Sequence, residues 1–385
     1  MADPVIYLDH QASTPCDTAV LEAMAPWWSA QAANPSSRLH RPGLLAAAAV
    51  EQARGRIAAG LALTPEQVVF TSGATEANNL ALKGLAEAEL EAGGPRRHLI
   101  TVATEHRAVL DPLRHLARHG FPLTVLPVAA DGLLDPAALE AALRPDTLLV
   151  SVMAANNEIG VLQPLAAIGA LCRERGIRFH CDAAQAVGHI PLQPMALGID
   201  LLSFSGHKLG GPMGIGALVV SAGTTLTPQL HGGGQERGLR AGSPPLPLIV
   251  GLGAAVERAL ADLPARQAQL AALRDQLWQQ LQAEGGIHRN GAEAPRLAHN
   301  LNVRVEGVDG AALHSRLRRQ LAVSSGSACS SGEPSHVLQA LGLSRQQASA
   351  SIRFGLGRST TAEEIAAAAE LVLTTIRALR RDPTG

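Results

Sequence analysis

The feature that most constrains this chain is an alternation of short apolar or β-branched runs with longer helical stretches, sustained from about residue 68 to residue 205. Val68-Val69-Phe70 reads as a strand, and 75–90 as a helix. Further strands are expected over 98–102, 123–127, 148–153, 177–181 and 200–204, with helices over 109–119, 135–143 and 165–175. Runs such as Leu148-Leu149-Val150-Ser151-Val152 lack the alternation of a half-exposed strand and suit burial on both faces. Strands alternating with helices predict a helix-covered, mainly parallel α/β sheet.

The texture changes after about Pro247. A long Ala/Leu/Gln-rich helical stretch over 248–281 is interrupted near Pro264. A strand over 301–305, a helix over 311–321 and a final helix over 362–380 follow. The 385 residues exceed what one compact core usually holds. The expectation is a large domain over 16–250, with a smaller α+β lobe built from 1–15 and 251–385. The segment HGGGQERGLRAGSPPLP (231–247) is too long and polar for a mere linker, and such loops more often carry function.

Composition narrows the function classes. The 32 Lys+Arg and 33 Asp+Glu nearly cancel, so no basic field is available for nucleic acid. Aromatics at 2% leave no base-stacking platform. Cys16, Cys172, Cys181 and Cys329 are scattered and form no CxxC pair, so neither a disulfide framework nor a metal site is expected. The first residues show no basic, apolar leader, and no stretch of 18 apolar residues occurs. A soluble cytoplasmic protein without a membrane segment is the expectation.

Several motifs fall at strand ends, where chemistry is often placed. Lys208, in Ser205-Gly206-His207-Lys208 followed by glycines, could form a Schiff base with a carbonyl such as the pyridoxal phosphate (PLP) aldehyde, or could be a solvated loop lysine. Asp182 ends another strand 26 residues earlier, with room between them for one more helix–strand unit. It could keep a pyridine nitrogen protonated or merely cap a helix. Thr71-Ser72-Gly73-Ala74-Thr75-Glu76 suits either an anion at a helix N-terminus or a plain capping box. His106 could stack on a ring or be structural, and Asn156-Asn157 could bond a ligand or form a turn. Cys329 stands in a Ser/Gly-rich run, Ser324 to Gly332, that gives a thiol little apolar cover and suits one that must reach a substrate. The other three cysteines have apolar or strand neighbours and read as structural.

Together these segments resemble the cysteine desulfurases, within the class V aminotransferase-like PLP enzymes. The resemblance runs from Tyr7-Leu8-Asp9 through TSGATEANN (71–79), TEHRAVL (104–110), NNEIG (156–160) and CDAAQAVG (181–188). It continues through SFSGHKLGGPMGIGAL (203–218), HGGGQERGLRAGS (231–243) and SSGSACSS (324–331) to Ser351-Ile352-Arg353-Phe354. It implies a fold-type-I PLP architecture, with Lys208 as the Schiff-base lysine, His106 stacked on the ring and Asp182 facing the pyridine nitrogen. Gln185 and Asn157 would bond near the phenolic oxygen and the substrate. Ala74, Thr75, Ser205 and His207 would hold the phosphate, completed by Ser243 from the second subunit of a homodimer. Asn34 and Arg353 would clamp the substrate carboxylate.

The implied reaction converts L-cysteine to L-alanine, with Cys329 taking the sulfur as a persulfide for an acceptor protein in iron–sulfur assembly or tRNA thiolation. A selenocysteine lyase or another class V aminotransferase is the alternative, and a non-catalytic scaffold is the rival from outside enzymology. The cysteine segment is shorter than in the housekeeping members, and their C-terminal docking extension is not expected. The Asp9-His10-Gln11-Ala12 segment also departs from the common pattern.

Overall fold

The computed structural model describes residues 5–326 and 334–381. Strand β1 (Ile6–Tyr7) and helices α1 (Thr18–Trp28) and α2 (Arg41–Gly60) precede the alternating region. That region builds one sheet from β2 (Val68–Thr71), β3 (His98–Val102), β4 (Leu123–Leu126), β5 (Thr147–Ser151), β6 (Arg178–Asp182), β7 (Leu201–Ser205) and β8 (Gly216–Val220). Its order is β2-β8-β7-β6-β5-β3-β4. The stretch from β7 to β4 is parallel throughout, and β8 runs antiparallel to both of its neighbours. All five residues of β3, β5 and β7 are buried, which is why their sequences carry no in–out alternation. Helices α3 (Ala74–Glu91), α4 (Arg107–Ala117), α5 (Pro136–Ala142) and α6 (Leu165–Glu174) link successive strands.

Two details differ from the sequence reading. The crossover from β6 to β7 carries turns and no helix. Gly188, Pro191, Pro194 and Gly198 interrupt it every few residues, and proline denies a helix its hydrogen bonds. Strand β8, a short run behind Gly210-Gly211-Pro212, had no expectation attached. Its Gly216 lies opposite both Thr71 and Ser205. A Cβ there would stand 2.4 Å from the Phe204 carbonyl oxygen and 2.7 Å from the Gly73 Cα, so only glycine lets these strand ends approach.

The later chain forms α7 (Leu246–Ala261), α8 (Leu263–Gln282), β9 (Ile287–Arg289), β10 (Asn300–Val305), α9 (Gly310–Leu317) and β11 (Leu321–Ala322). Then come α10 (His336–Ala340), α11 (Arg345–Ser349), β12 (Ser351–Gly355) and α12 (Ala362–Arg381). Strands β12-β10-β9 make an antiparallel sheet, and β1 pairs with β11 in parallel. The texture change near 247 is the start of α7, and it does not end the first core. Leu252, Ala255, Val256 and Ala259 of α7 are buried in the cluster that includes the central sheet. The helix lies so close to α2 that a Cβ on Gly253 would meet the Ala53 Cα at 2.8 Å. A second cluster begins with Leu270 on α8 and takes in Leu301, Ile352, Val372 and, from the far end of the chain, Leu8. Each such aliphatic side chain removed from water contributes roughly 1.5–3 kcal/mol, so the N-terminal segment is firmly held against the second core. That anchoring carries residues 9–12 from β1 toward the central sheet: the His10 amide donates to Gly355 and the Gly355 amide to Leu8.

Candidate active site

The carboxyl ends of β2, β3, β5, β6 and β7 open on one cavity of about 430 Å³. In open α/β sheets this edge is where ligands collect. Ala74, Thr75, His106, Asn157, Asp182 and Gln185 line the cavity, together with Ser205, His207, Lys208 and Arg353. Ten residues singled out from separate motifs thus face one space.

One end of the cavity is built for an anion. Helix α3 begins behind Gly73, at φ +155°, with no side chain capping its first amides. The Glu76 carboxylate accepts from the Ser72 amide and is drawn outward by Arg240 at 2.7 Å. The capping box admitted by the sequence is therefore absent, and the N-terminal amides of Ala74 and Thr75 are available to a ligand. Ser205 and His207 face them across the cavity. Burial, with the Lys208 charge adding to it, lowers the His207 pKa to about 4, so its imidazole is neutral near pH 7 and acts by hydrogen bonding.

The centre of the cavity carries the acid–base groups. Asp182 is buried, with one carboxylate oxygen accepting from Asn78 Nδ2 at 2.7 Å and the other from the Ala184 amide at 2.9 Å. Lys208 Nζ donates to the carbonyls of Gln11 at 2.6 Å and Ala12 at 2.8 Å. His106 caps α4, its Nδ1 accepting from the Ala108 amide at 3.1 Å, which leaves the ring proton on Nε2. Burial lowers its pKa; the Asp182 charge opposes that shift, and the Lys208 charge adds to it. Glu105, fully buried one residue before His106, has its carboxyl pushed well above the usual range by burial and by Asp182. It accepts from the Met153 amide at 2.5 Å.

The far wall is Arg353. It is 1% exposed, and its Nη2 lies 2.6 Å from Asp9 Oδ1 while Nη1 donates to the Asn157 carbonyl at 3.1 Å. Among the described residues its Nε has no hydrogen-bond partner. Gln185 donates through Nε2 to the Gln11 carbonyl at 2.9 Å.

Asn34 and Ser243 do not line this chain's cavity; both are exposed. The Asn34 side chain accepts from the Ser36 amide and closes a local turn. Asn34 and Arg353 are thus not brought together within one chain. Cys329 lies outside the described residues.

Sequence reasoning missed Gln11 and Asn78. Gln11 is buried, its carbonyl receives both Lys208 and Gln185, and its side-chain oxygen accepts from Asn300 at 2.6 Å. The odd Asp9-His10-Gln11-Ala12 segment therefore has a consequence: it brings these backbone carbonyls to the lysine. A contact made through the backbone leaves no signature in residue type. Asn78 could have been found, since it lies one helical turn after Ala74 in the same motif.

Residues 6–367 match the family model described as Aminotransferase class-V, which spans nearly the whole chain, and the chain belongs to that family of PLP-dependent enzymes. It is 48% identical over 379 residues, 97% of this chain and 93% of the relative, to "Cysteine desulfurase IscS" of Dechloromonas aromatica (strain RCB). A second cysteine desulfurase of that name, from Rickettsia akari (strain Hartford), is 46% identical over 98% of this chain and 92% of its own length. Within the family, this chain stands with the cysteine desulfurases. Among solved structures, a NifS-like protein superposes with a TM-score of 0.92 at 34% identity, covering 98% of this chain and all of its own. A structure titled "SspA in complex with cysteine" superposes at 0.80 with 41% identity, covering 91% of this chain and 98% of the other.

Proposed function

We propose that this protein is a PLP-dependent cysteine desulfurase that converts L-cysteine to L-alanine and passes the sulfur to Cys329. The observation that carries the proposal is the convergence of Lys208, Asp182, His106, Arg353 and the uncapped start of α3 on one cavity. The donor set fits PLP at both ends: free amides and neutral imidazole for a phosphate, a braced carboxylate for a pyridine nitrogen.

When bound, PLP supplies an electron sink that stabilises negative charge at the substrate α-carbon. The chain's own groups do the rest. The Ala74 and Thr75 amides, Ser205 and His207 hold the phosphate, and Ser243 of a second subunit would complete that site. Asp182, held by Asn78 and Ala184, keeps the pyridine proton in place. His106 would cover the ring, and Gln185 and Asn157, which line the same cavity, would orient the phenolic oxygen and substrate. Arg353, steadied by Asp9, offers its Nε to the substrate carboxylate, and Asn34 would join it from outside this chain's own cavity. Lys208, which donates to the Gln11 and Ala12 carbonyls, would hold the cofactor's carbonyl, and its amine would act as the general base toward the substrate α-proton. The Cys329 thiolate would attack the substrate sulfur as the Cβ–S bond breaks; the bond's electron pair stays with the carbon fragment, which takes a proton at Cβ to become alanine, and Cys329 keeps the sulfur as a persulfide. Thiol exchange then hands that sulfur to an acceptor of iron–sulfur assembly or tRNA thiolation in the cytoplasm.

Holoenzyme incubated with L-cysteine and a dithiol should release alanine and sulfide in equal amounts. A keto acid in place of alanine would instead make this chain an aminotransferase. Light scattering should give a two-fold homodimer. An active monomer at assay concentration would remove the role given to Ser243.

A further inference from the structure

We propose that Arg240 sets cofactor affinity from outside the cavity: its guanidinium holds the Glu76 carboxylate aside, so that the amides at the start of α3 stay open to a phosphate. The proposal rests on the reading of that end of the cavity as the phosphate site. It gives the polar stretch 231–247 a role toward its own chain's cavity.

Strand β2 ends the central sheet, so its edge away from β8 has no strand neighbour in that sheet. Such an edge leaves amides and carbonyls to be satisfied by other means. Side chains from the 231–247 stretch reach it at alternate residues. The Val68 carbonyl accepts from Arg54 Nη1 at 2.7 Å and from Arg237 Nη2 at 3.0 Å. The Phe70 amide donates to Glu236 Oε2 at 2.8 Å. Just past the strand, the Ser72 amide donates to Glu76 Oε2 at 2.8 Å. Arg240 grips that carboxylate with two bonds, Nε to Oε1 at 2.7 Å and Nη2 to Oε2 at 3.2 Å. The contacts at Val68 and Phe70 aim the one at Glu76. Arg54 holds Glu236 through Nη1 at 2.8 Å and Nη2 at 2.9 Å, with both side chains buried. Glu236 and Arg237 lie in the left-handed region, at φ 46° and 56°, which non-glycine residues keep only where their surroundings fix them. The turn so fixed delivers Arg240 to Glu76.

Glu76 stands in the first turn of α3 and lines the cavity. A carboxylate there is favoured by the helix dipole and by the same free amides that suit a phosphate. Two anions at one helix start compete for those amides and repel each other. Arg240 removes the competition, because its fork fixes both carboxylate oxygens and its charge cancels that of Glu76. Burial alone would raise the Glu76 carboxyl, but the hydrogen bonds from Arg240 and Ser72 overcome it and hold the pKa below the usual value. Arg240 itself does not line the cavity. It is a positioning residue that acts on the cofactor through Glu76.

Full-length Arg240→Ala, stripped of cofactor and titrated by the visible absorbance of the bound form, tests this. Its dissociation constant for PLP should rise about tenfold, the scale of one misplaced charge at a helix start, while that for pyridoxal, which lacks the phosphate, stays within about twofold. Glu76→Gln alone should bind PLP at least as tightly as the wild type. Adding Glu76→Gln to Arg240→Ala should restore wild-type affinity, because no carboxylate is left to hold aside. A double variant as weak as Arg240→Ala would overturn the proposal, since an arginine with a merely structural role is not rescued by removing its partner's charge. Wild-type PLP affinity in Arg240→Ala would overturn it too, as would an equal loss of PLP and pyridoxal. Should Arg240→Ala not fold, Arg240→Gln carries the same expectations. A wild type that held PLP no better than pyridoxal would instead bring down the phosphate-site reading, and this proposal with it. A wild type that prefers PLP, beside an unaffected Arg240→Ala, would remove the proposal alone.

Discussion

Lys208→Ala is expected to abolish alanine formation, with a loss of at least about a thousandfold, the scale on which positioned acid–base groups contribute. Two roles disappear together. The amine that would hold the cofactor carbonyl is gone, and so is the base that would take the α-proton. The anion cradle does not depend on it: the amides at the start of α3, Ser205 and His207 stay in place, so PLP should still bind without a covalent link. The chain makes this a sharp test, because it carries only two lysines, Lys83 and Lys208. Lys83 lies on α3 and does not line the cavity. Borohydride treatment of the wild type should fix the cofactor to the peptide containing Lys208. A fixed adduct on Lys83, or on a Lys208→Ala sample, would show that the wrong amine was chosen.

How much of this was legible in the sequence depended on where each group gets its effect. The central sheet was legible because burial on both faces leaves unbroken apolar runs, and β3 falls on the residues expected for it. The cavity was legible because its groups act through side chains at strand ends, where Asp182, His106 and Lys208 each follow a recognisable run. What acts through the backbone was not legible. Gln11 and Ala12 present carbonyls to Lys208, a job any residue type could do. Composition does not separate α7 from α8, which share Ala/Leu content; packing does, with Val256 in one cluster and Leu270 in the other. The helix allowed for between Asp182 and Lys208 failed for a local reason, the spacing of Pro191 and Pro194. Asn34 exposes a different limit: a motif names a residue for a site without saying which copy of the chain delivers it, and Asn34 does not line this chain's own cavity.

Cys329→Ser should separate sulfur transfer from every earlier step. The variant keeps Lys208, Asp182, His106 and the phosphate cradle, so it should bind PLP and still change its visible spectrum when cysteine is added. Alanine formation should fall by at least about a hundredfold, since a serine hydroxyl is far less acidic than a thiol and cannot hold sulfur as a persulfide. The remaining thiols are poor substitutes. Burial pushes Cys172 up to about 12 and Cys181 well above the usual thiol range. Cys16 is half-buried and also raised, by burial and then by Asp17. These shifts disfavour, in all three, the thiolate that attacks sulfur, whereas the sequence neighbours of Cys329 are Ala328, serines and glycines. Wild-type enzyme mixed with cysteine and no reductant should therefore gain the mass of one sulfur atom on the peptide containing Cys329. Removing Cys16, Cys172 or Cys181 should leave that gain intact. If the extra sulfur mapped to one of those three, or if Cys329→Ser turned over at the wild-type rate, the sulfur-transfer step would be wrong while the cofactor chemistry at Lys208 and Asp182 stood.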